Sequence, residues 1–187
     1  MHWYVLLVIL LLVFIWAAFT YNKLIALKRL SDEAFSGISV QLKRRNDLIP
    51  NLVEVVKGYT KHESTLLEEL TRLRTQLGQR LNTAGVSPEL VTDAGALAHS
   101  LERVLIAVEN YPELKASEHF IALHKGLEEV EDALQMSRRY YNGTVRNYKI
   151  KLESFPSLII AKLFSFEGRE FFMLDEASAA QAPEVKL

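Results

Sequence analysis

An uncharged apolar run near the amino terminus constrains the fold of this chain most. Residues 3–21, WYVLLVILLLVFIWAAFTY, contain no charged side chain. A helix of about 19 such residues crosses the roughly 30 Å hydrocarbon layer of a bilayer and satisfies its own backbone hydrogen bonds there. We therefore predict a transmembrane anchor over residues 1–22 with a short outer terminus. Aromatic residues typical of the headgroup level of a membrane stand at both ends of the run: Trp3, Tyr4, Trp16 and Tyr21.

Two other interpretations of the run fit the sequence less well. A cleaved signal peptide needs a basic amino-terminal region and a small-residue cleavage site. Only Met1 and His2 precede the run, and Ala17-Ala18-Phe19 is a poor cleavage site. A buried core helix is also disfavoured, because the run is apolar on every face.

The charges that flank the run predict its orientation. No Lys or Arg precedes it, whereas Lys23, Lys28 and Arg29 follow within its next turns. Basic residues close to a span are enriched on the cytoplasmic side of membranes. We therefore expect a single-pass protein with its amino terminus outside and its domain in the cytoplasm.

Composition restricts the possible functions. The chain has 187 residues, 24% of them charged, and a formal net charge of −1. A general nucleic-acid-binding protein is expected to carry a strong basic excess, so no nucleic-acid partner is predicted. The sequence contains no cysteine, which excludes disulfides, thiolate catalysis and cysteine-ligated zinc.

Hydrophobic spacing after the run predicts helices. Apolar residues recur at intervals of three, four and seven, and no segment before residue 155 shows the period of two that is typical of strands. The first helix is expected to continue directly from the anchor. The further predicted helices cover about residues 52–77, 88–111 and 117–152. Ser87-Pro88-Glu89 is a good amino-terminal cap for the second of these helices. The expected fold class is all-α: a single amino-terminal transmembrane helix followed by an antiparallel bundle of long helices, with the bundle domain over residues 23–154.

The sequence leaves two possibilities at Pro50. Asp47 could cap a new helix with Pro50 inside its first turn, or Pro50 could kink a helix that continues. Leu42, Ile49 and Val56 lie seven residues apart across the proline. This spacing is compatible with both possibilities.

The end of the chain has a different character. Residues 155–176 crowd large apolar groups around single charges. Each large apolar side chain that stayed in water would forfeit about 1.5–3 kcal/mol, so we predict that this segment packs on the bundle or on a neighbouring copy. The alanine-rich residues 177–187 are predicted to form a mobile tail.

Four separated blocks of the sequence resemble the LemA family. They are QLKRRNDLIPNLVEVVKGYTKHE at residues 41–63, ENYPELKASEHF at 109–120, RRYYNGTVRNY at 138–148 and FPSLIIAKLF at 155–164. The blocks follow the order of the family. The motif residues that they contain are Lys43, Arg44, Arg45, Asp47, Pro50, Asn51, Tyr111, Pro112, Tyr140, Tyr141, Asn142, Phe155 and Pro156.

The resemblance implies a protein of the bacterial inner membrane with one amino-terminal span and a cytoplasmic helical bundle. It implies no enzymatic activity. The sequence departs from the family pattern at Phe35, where tryptophan is usual, and at Gly37 and Gly143, where aspartate is common. It departs again at Leu158, where asparagine often follows Phe-Pro-Ser.

The basic triplet Lys43-Arg44-Arg45 is a candidate for binding anionic lipid or phosphate. On a straight helix the triplet lies about 33 Å beyond Tyr21, at 1.5 Å per residue. That distance is several Debye lengths from the bilayer. A solvated or salt-bridged helix face is therefore the favoured interpretation.

The histidines and tyrosines do not form a recognisable chemical motif. His62-Glu63 lacks the second histidine of a zinc peptidase, because position 66 is leucine. His119 and His124 are five residues apart, which places them on different helix faces. Tyr140 and Tyr141 point about 100° apart on a helix, so one ring is expected to pack inward and the other outward.

These observations predict no catalytic, metal or cofactor site and no enzyme. Two functions remain. The first is a membrane scaffold that contacts the lipid bilayer, assembles into a homo-oligomer and organises or shapes the inner membrane. The second is an adaptor that presents its bundle to a protein partner, namely another membrane machine such as a peptidase or signalling complex.

Overall fold

A computed structural model describes residues 2–60, 63–82 and 85–173 of the chain. No strand occurs in these ranges, which confirms the all-α class. The helices are α1 (His2–Tyr59), α2 (Ser64–Leu81), α3 (Pro88–Val108), α4 (Pro112–Lys115), α5 (Glu118–Glu153) and α6 (Ser157–Leu163). The predicted tail, residues 177–187, lies outside the described ranges.

Helix α1 runs from the apolar segment into the domain as one helix, as expected. Its apolar part has a mean hydropathy of 2.6, and only 6% of that part is buried within the protein. The interpretation as a buried core helix is therefore wrong. Among the described residues this is one helix that is long and apolar enough to cross a membrane.

Pro50 lies inside α1, so no new helix begins there. Asp47 caps nothing and is an exposed residue within the helix. The proline has no N–H to donate to the carbonyl oxygen of Asn46, four residues earlier. Arg74 of α2 replaces that donor, since its Nε donates to the same oxygen over 3.3 Å. The helix continues because a neighbouring helix supplies the missing hydrogen bond.

The predicted single helix over residues 52–77 is wrong. Helix α1 ends at Tyr59 and α2 begins at Ser64. Helix α2 folds back beside α1, so that Val56 and Leu67 line the same small cavity. The spacing of the apolar residues fits one long helix and also fits two helices that pack their apolar faces against each other. The folded-back pair buries both apolar faces.

Helices α2 and α3 are antiparallel, as their polar contacts show. Arg80 pairs with Asp93 at 3.1 Å, and Arg103 pairs with Glu69 at 3.2 Å. The predicted cap of α3 is confirmed, because the Ser87 hydroxyl accepts a hydrogen bond from the Leu90 N–H at 3.1 Å.

The chain divides into two compact units. Unit 1 comprises Met1–Ser36 and Ser137–Phe171, and unit 2 comprises Gly37–Met136 and Phe172–Leu187. In unit 1 the side chain of Leu24 on α1 is completely buried with those of α5 and α6. One buried cluster of this unit consists of Leu24, Tyr148, Leu152, Ile160 and Ala161, with Ala17, Leu27 and Phe166 packed against it.

Unit 2 has its own apolar core, which the helical spacing of the apolar residues predicts. Fully buried side chains on α1, α2, α3 and α5 contribute to it. They include Ile38, Leu42, Leu52, Leu70, Leu77, Leu97 and Leu134.

Candidate functional site

The first candidate site is the bare apolar surface at the start of α1. All large apolar side chains of residues 3–16 are exposed, from 36% at Trp16 to 74% at Tyr4. Of the predicted belt residues, Trp3 and Tyr4 make this surface aromatic at its amino-terminal end. A surface of this kind is stable only when something other than water covers it.

The carboxyl-terminal end of the apolar run is partly covered by the carboxyl-terminal segment of the same unit, while Phe19 stays 73% exposed. The ring of Tyr21 lies 4.8 Å from that of Phe164 and 5.5 Å from that of Phe166, both edge-on. Ala17 packs against the core of unit 1, and Thr20 is 6% exposed. Tyr21 is therefore an internal packing residue as well as the last residue of the run.

Two tyrosines of α5 hold the chain that follows α6. The Tyr141 hydroxyl donates to the Glu170 carbonyl oxygen at 2.7 Å, and the Tyr148 hydroxyl donates to that of Glu167 at 3.0 Å. Burial raises the pKa of Tyr141 to about 12 and also raises the pKa of Tyr148. Both hydroxyls therefore stay protonated and act as hydrogen-bond donors at neutral pH.

An ion pair joins the same segment to α1. The guanidinium of Arg169 donates to the carboxylate of Asp32. Phe35 on the next turn of α1 lies 6.0 Å from the ring of Tyr141. Residues 164–171 are thus fixed to both α1 and α5 within unit 1.

The basic triplet is divided by the fold. Lys43 and Arg44 are exposed, and Arg44 donates to the Gln41 side chain at 3.3 Å. Arg45 is 1% exposed and forms an ion pair with Glu131 of α5. The triplet does not form a cluster of three cations, since its third member is part of the core of unit 2.

The remaining motif residues do not converge on one place. Tyr111 donates to the Glu63 carboxylate at 2.8 Å, and this hydrogen bond raises the pKa of Tyr111. Tyr140 is 58% exposed and Tyr141 is 2% exposed, which confirms the expected inward and outward rings. The exposed motif residues are Asp47, Pro50, Asn51, Pro112, Phe155 and Pro156, and Asn142 is half-buried.

The histidines are dispersed. His62 lies outside the described residues. His124 stacks near Phe120 with 5.8 Å between ring centres, and His119 is exposed. Within residues 2–60, 63–82 and 85–173, no three His, Cys, Asp or Glu side chains are grouped as metal ligands.

A second candidate site is a groove of about 590 Å³ in unit 2. Leu105, Val108, Phe120 and Ile121 supply its apolar lining, and α3, α4 and α5 meet there. Ile121 is 54% exposed. The charged residues at this groove are Glu109, Lys115, Lys125 and Glu128, two of each sign.

Sequence reasoning did not identify two arrangements. Asp93 is 7% exposed and binds both Gln76, at 2.7 Å, and Arg80 on α2. No local pattern marks such a contact between two helices. The sequence analysis also did not predict that one apolar side of α6 is exposed. The spacing of four between Ile159 and Leu163 does indicate a face distinct from that of Ile160.

Comparison with known proteins gives several distant relatives. Magnetosome protein MamQ 2 of Paramagnetospirillum magneticum is 22% identical, in a match over 87% of this chain and 67% of that protein. Magnetosome protein MamQ of Magnetospirillum gryphiswaldense is 20% identical over 81% of this chain and 64% of its own length. Protein LemA of Metamycoplasma hominis is 24% identical over 76% of this chain and 64% of its own length. The chain thus spans about two thirds of the length of these relatives.

The sequence profile of the LemA family matches residues 34–187. The match begins within α1, after the apolar run, and includes all later helices. This chain therefore belongs to the LemA family.

Proposed function

We propose that this protein is a membrane-anchored helical scaffold whose copies self-associate and organise or shape the bacterial inner membrane. The role is not enzymatic. The observation that carries the proposal is the bare apolar surface of residues 3–16 on a helix that continues into the domain. Water makes this exposure costly, at about 1.5–3 kcal/mol for each large side chain. Lipid removes that cost, because a helix satisfies its backbone internally.

The proposed orientation places the amino terminus outside and the domain in the cytoplasm. Lys23 and Arg29 are exposed just beyond the apolar run and support this orientation. Single cysteines can be introduced at His2 and Ser178, because the chain has none of its own. A membrane-impermeant thiol reagent on intact spheroplasts should label the cysteine at position 2 and leave that at 178 unlabelled. Labelling at 178 alone would reverse the orientation.

Self-association is supported by the groove of unit 2. The proposed occupant is the same surface of a second copy. A two-fold interface pairs a surface with itself, so a charged surface can form one only if its charges are of both signs. Glu109, Glu128, Lys115 and Lys125 meet this requirement. Parallel anchoring in one membrane raises the effective concentration of the copies and favours even a weak contact.

Light scattering coupled to size exclusion tests this assembly on the detergent-extracted full chain. We expect a discrete particle larger than one copy. Ile121→Glu places a charge in the groove and should reduce the particle to a monomer. Val40→Glu changes an equally exposed apolar residue outside the groove, 55% against 54%, and should leave the particle unchanged. An equal effect of the two substitutions would contradict assembly through the groove.

The groove also suits a second candidate function. An apolar lining with charged residues can accept an amphipathic helix of another protein. The chain would then be an adaptor that presents its bundle to another membrane machine, such as a peptidase or signalling complex. A monomeric wild-type chain in the light-scattering experiment would favour this adaptor.

A further inference from the structure

Four large apolar side chains remain exposed on and beside α6 after its inner face has packed. They form the outer patch, which we define as Phe155, Ile159, Leu163 and Phe164, with exposures of 82%, 54%, 72% and 55%. Ser157, Ile160 and Ala161 on the inner face are buried. The helix therefore presents apolar side chains in two directions, and only one direction is filled by unit 1.

The outer patch is attached to the base of the apolar run. Phe164 is in edge-on contact with the ring of Tyr21. Ile160 and Ala161 belong to the core against which Ala17 packs. Because residues 17–21 are part of the uncharged run, α6 covers the end of the run as well as the next turn of α1 at Leu24.

The length of the bare surface indicates where that end lies. Residues 3–16 extend about 20 Å along α1 at 1.5 Å per residue. The hydrocarbon layer is roughly 30 Å thick. Residues 3–16 are thus about 10 Å too short, and residues 17–21, among which Phe19 is still 73% exposed, must occupy the remaining depth. The element that covers them then lies at the same depth, in the boundary between headgroups and acyl chains.

We propose that the outer patch inserts into the boundary region of the same bilayer that α1 crosses. Interfacial helices bury their apolar face by about 5–10 Å, which matches the missing length. The exposed side chains of Lys162 on α6 and Lys23 on α1 suit the headgroup level, where cations are attracted to anionic lipid. Unit 1 would then contact the membrane at two places, the span and α6.

A second copy of the chain fits the outer patch less well. A stable protein interface buries roughly 800 Å² on each partner. A large aromatic side chain offers about 200 Å² when fully exposed. Four partly exposed side chains do not reach the required area, whereas insertion into lipid has no such minimum.

The inference rests on the anchoring in the proposed function but not on self-association. Nanodiscs that hold one copy each separate lipid from a second copy as the occupant. Single cysteines at Leu163, Leu11 and Ile106 carry an environment-sensitive fluorophore. Leu11 reports the span, and Ile106, 58% exposed on α3, is the aqueous control.

The Leu163 label should be quenched severalfold more than the Ile106 label by lipids brominated near the headgroup. It should be quenched severalfold less by aqueous iodide. A label at Ile159 should behave in the same way, which guards against a local effect of one substitution.

Equal behaviour of the Leu163 and Ile106 labels, with a lipid-quenched Leu11 label, would overturn this inference alone. A Leu163 label that is protected only in discs with several copies would overturn it in favour of a second copy. A Leu11 label that lipid does not quench would overturn both the anchoring and this inference.

Discussion

Residues 3–16 and residues 24–56 belong to the same helix, α1, but their side chains meet different surroundings. The first stretch is apolar on every face and exposed on every face. In the second, apolar residues recur on one face, and Leu24, Ile38 and Leu52 are completely buried. The second stretch lies in water, so it buries one row of apolar side chains against the domain and exposes its charged side chains. The first stretch has no stripe, which is the pattern expected of a helix with lipid on all of its faces.

The difference teaches that exposure has no fixed meaning along this helix. Val13 is 53% exposed and Val40 is 55% exposed. In the proposed membrane, the first side chain is in its preferred solvent and the second is not. The predictions below test this contrast, from the largest expected effect to the smallest.

The first prediction compares two isoleucines of α1. Ile38→Ala should lower the free energy of unfolding by about 2–5 kcal/mol, because it empties a packed site. Ile9→Ala removes an equal volume from a side chain that is 55% exposed and should leave the domain's melting temperature unchanged. Thermal melts of the full chain in detergent measure both. Leu134→Ala and Tyr141→Ala should resemble Ile38→Ala.

Equal melting temperatures for the Ile38 and Ile9 variants would contradict the division of α1 into two environments. Glu129→Ala serves as the surface control, since Glu129 is exposed on α5.

The second prediction compares the two valines. Val13→Asp should make membrane insertion of the span about 3 kcal/mol less favourable, the usual difference between an apolar and an acidic residue at the centre of a span. Val40→Asp should leave insertion unchanged, because that side chain faces water. An insertion assay with glycosylation reporters on the full chain measures the difference. Similar values for the two variants would show that Val13 does not face lipid.

The third prediction concerns the buried charge of α1. Glu131→Ala should destabilise the protein by about 1–3 kcal/mol, because it removes the carboxylate that pairs with buried Arg45. Glu129→Ala, two residues earlier on α5, should change stability by less than about 0.5 kcal/mol. Urea denaturation measures both free energies. If the two variants are equally stable, the pair with Arg45 does not hold α5 against α1 in unit 2.

The fourth prediction uses the raised pKa of Tyr141. Its pKa is about 12 in the folded protein, against 10.0 ordinarily. The unfolded chain therefore loses this proton first, so stability that is complete below about pH 10 falls as the pH rises towards 12. Tyr141→Phe should cost about 0.5–1.5 kcal/mol at neutral pH, through the lost hydrogen bond to Glu170.

The Tyr141→Phe variant should also lose less stability than the wild type between about pH 10 and 12. Urea denaturation at several pH values measures this. Tyr140→Phe is the matched control, since Tyr140 is 58% exposed. Identical pH profiles for Tyr141→Phe and the wild type would show that this hydroxyl is not the buried titrating group.

The sequence predicted the elements of the fold that depend on local spacing. The apolar run, the cap at Ser87 and the opposite directions of Tyr140 and Tyr141 follow from composition and from the geometry of one helix. The end of α1 at Tyr59 did not follow, because a spacing of seven from Tyr59 to Leu66 fits both a continuous helix and a folded-back pair.

The candidate sites were less predictable, because they depend on contacts between distant residues. Arg45 has two basic neighbours in the sequence, but its burial depends on Glu131 of α5. The apolar content of residues 155–172 was evident. The side chains of α6 that face inward are those that meet Leu24 and Tyr148, so they depend on where α6 packs. The spacing within α6 shows only that the helix has two apolar faces.

The hydrogen bond from Arg74 to the Asn46 carbonyl has an evolutionary consequence. A chain with an ordinary residue at position 50 regains the backbone N–H that Pro50 lacks, and Arg74 is then released from this role. The opposite change, loss of Arg74 with Pro50 retained, leaves the carbonyl without that donor. Gly78 also allows close approach, since a Cβ there would lie 3.3 Å from the Asn46 side chain. Substitutions at positions 50, 74 and 78 should therefore be inherited together among relatives, although 24 residues separate the first two in the chain.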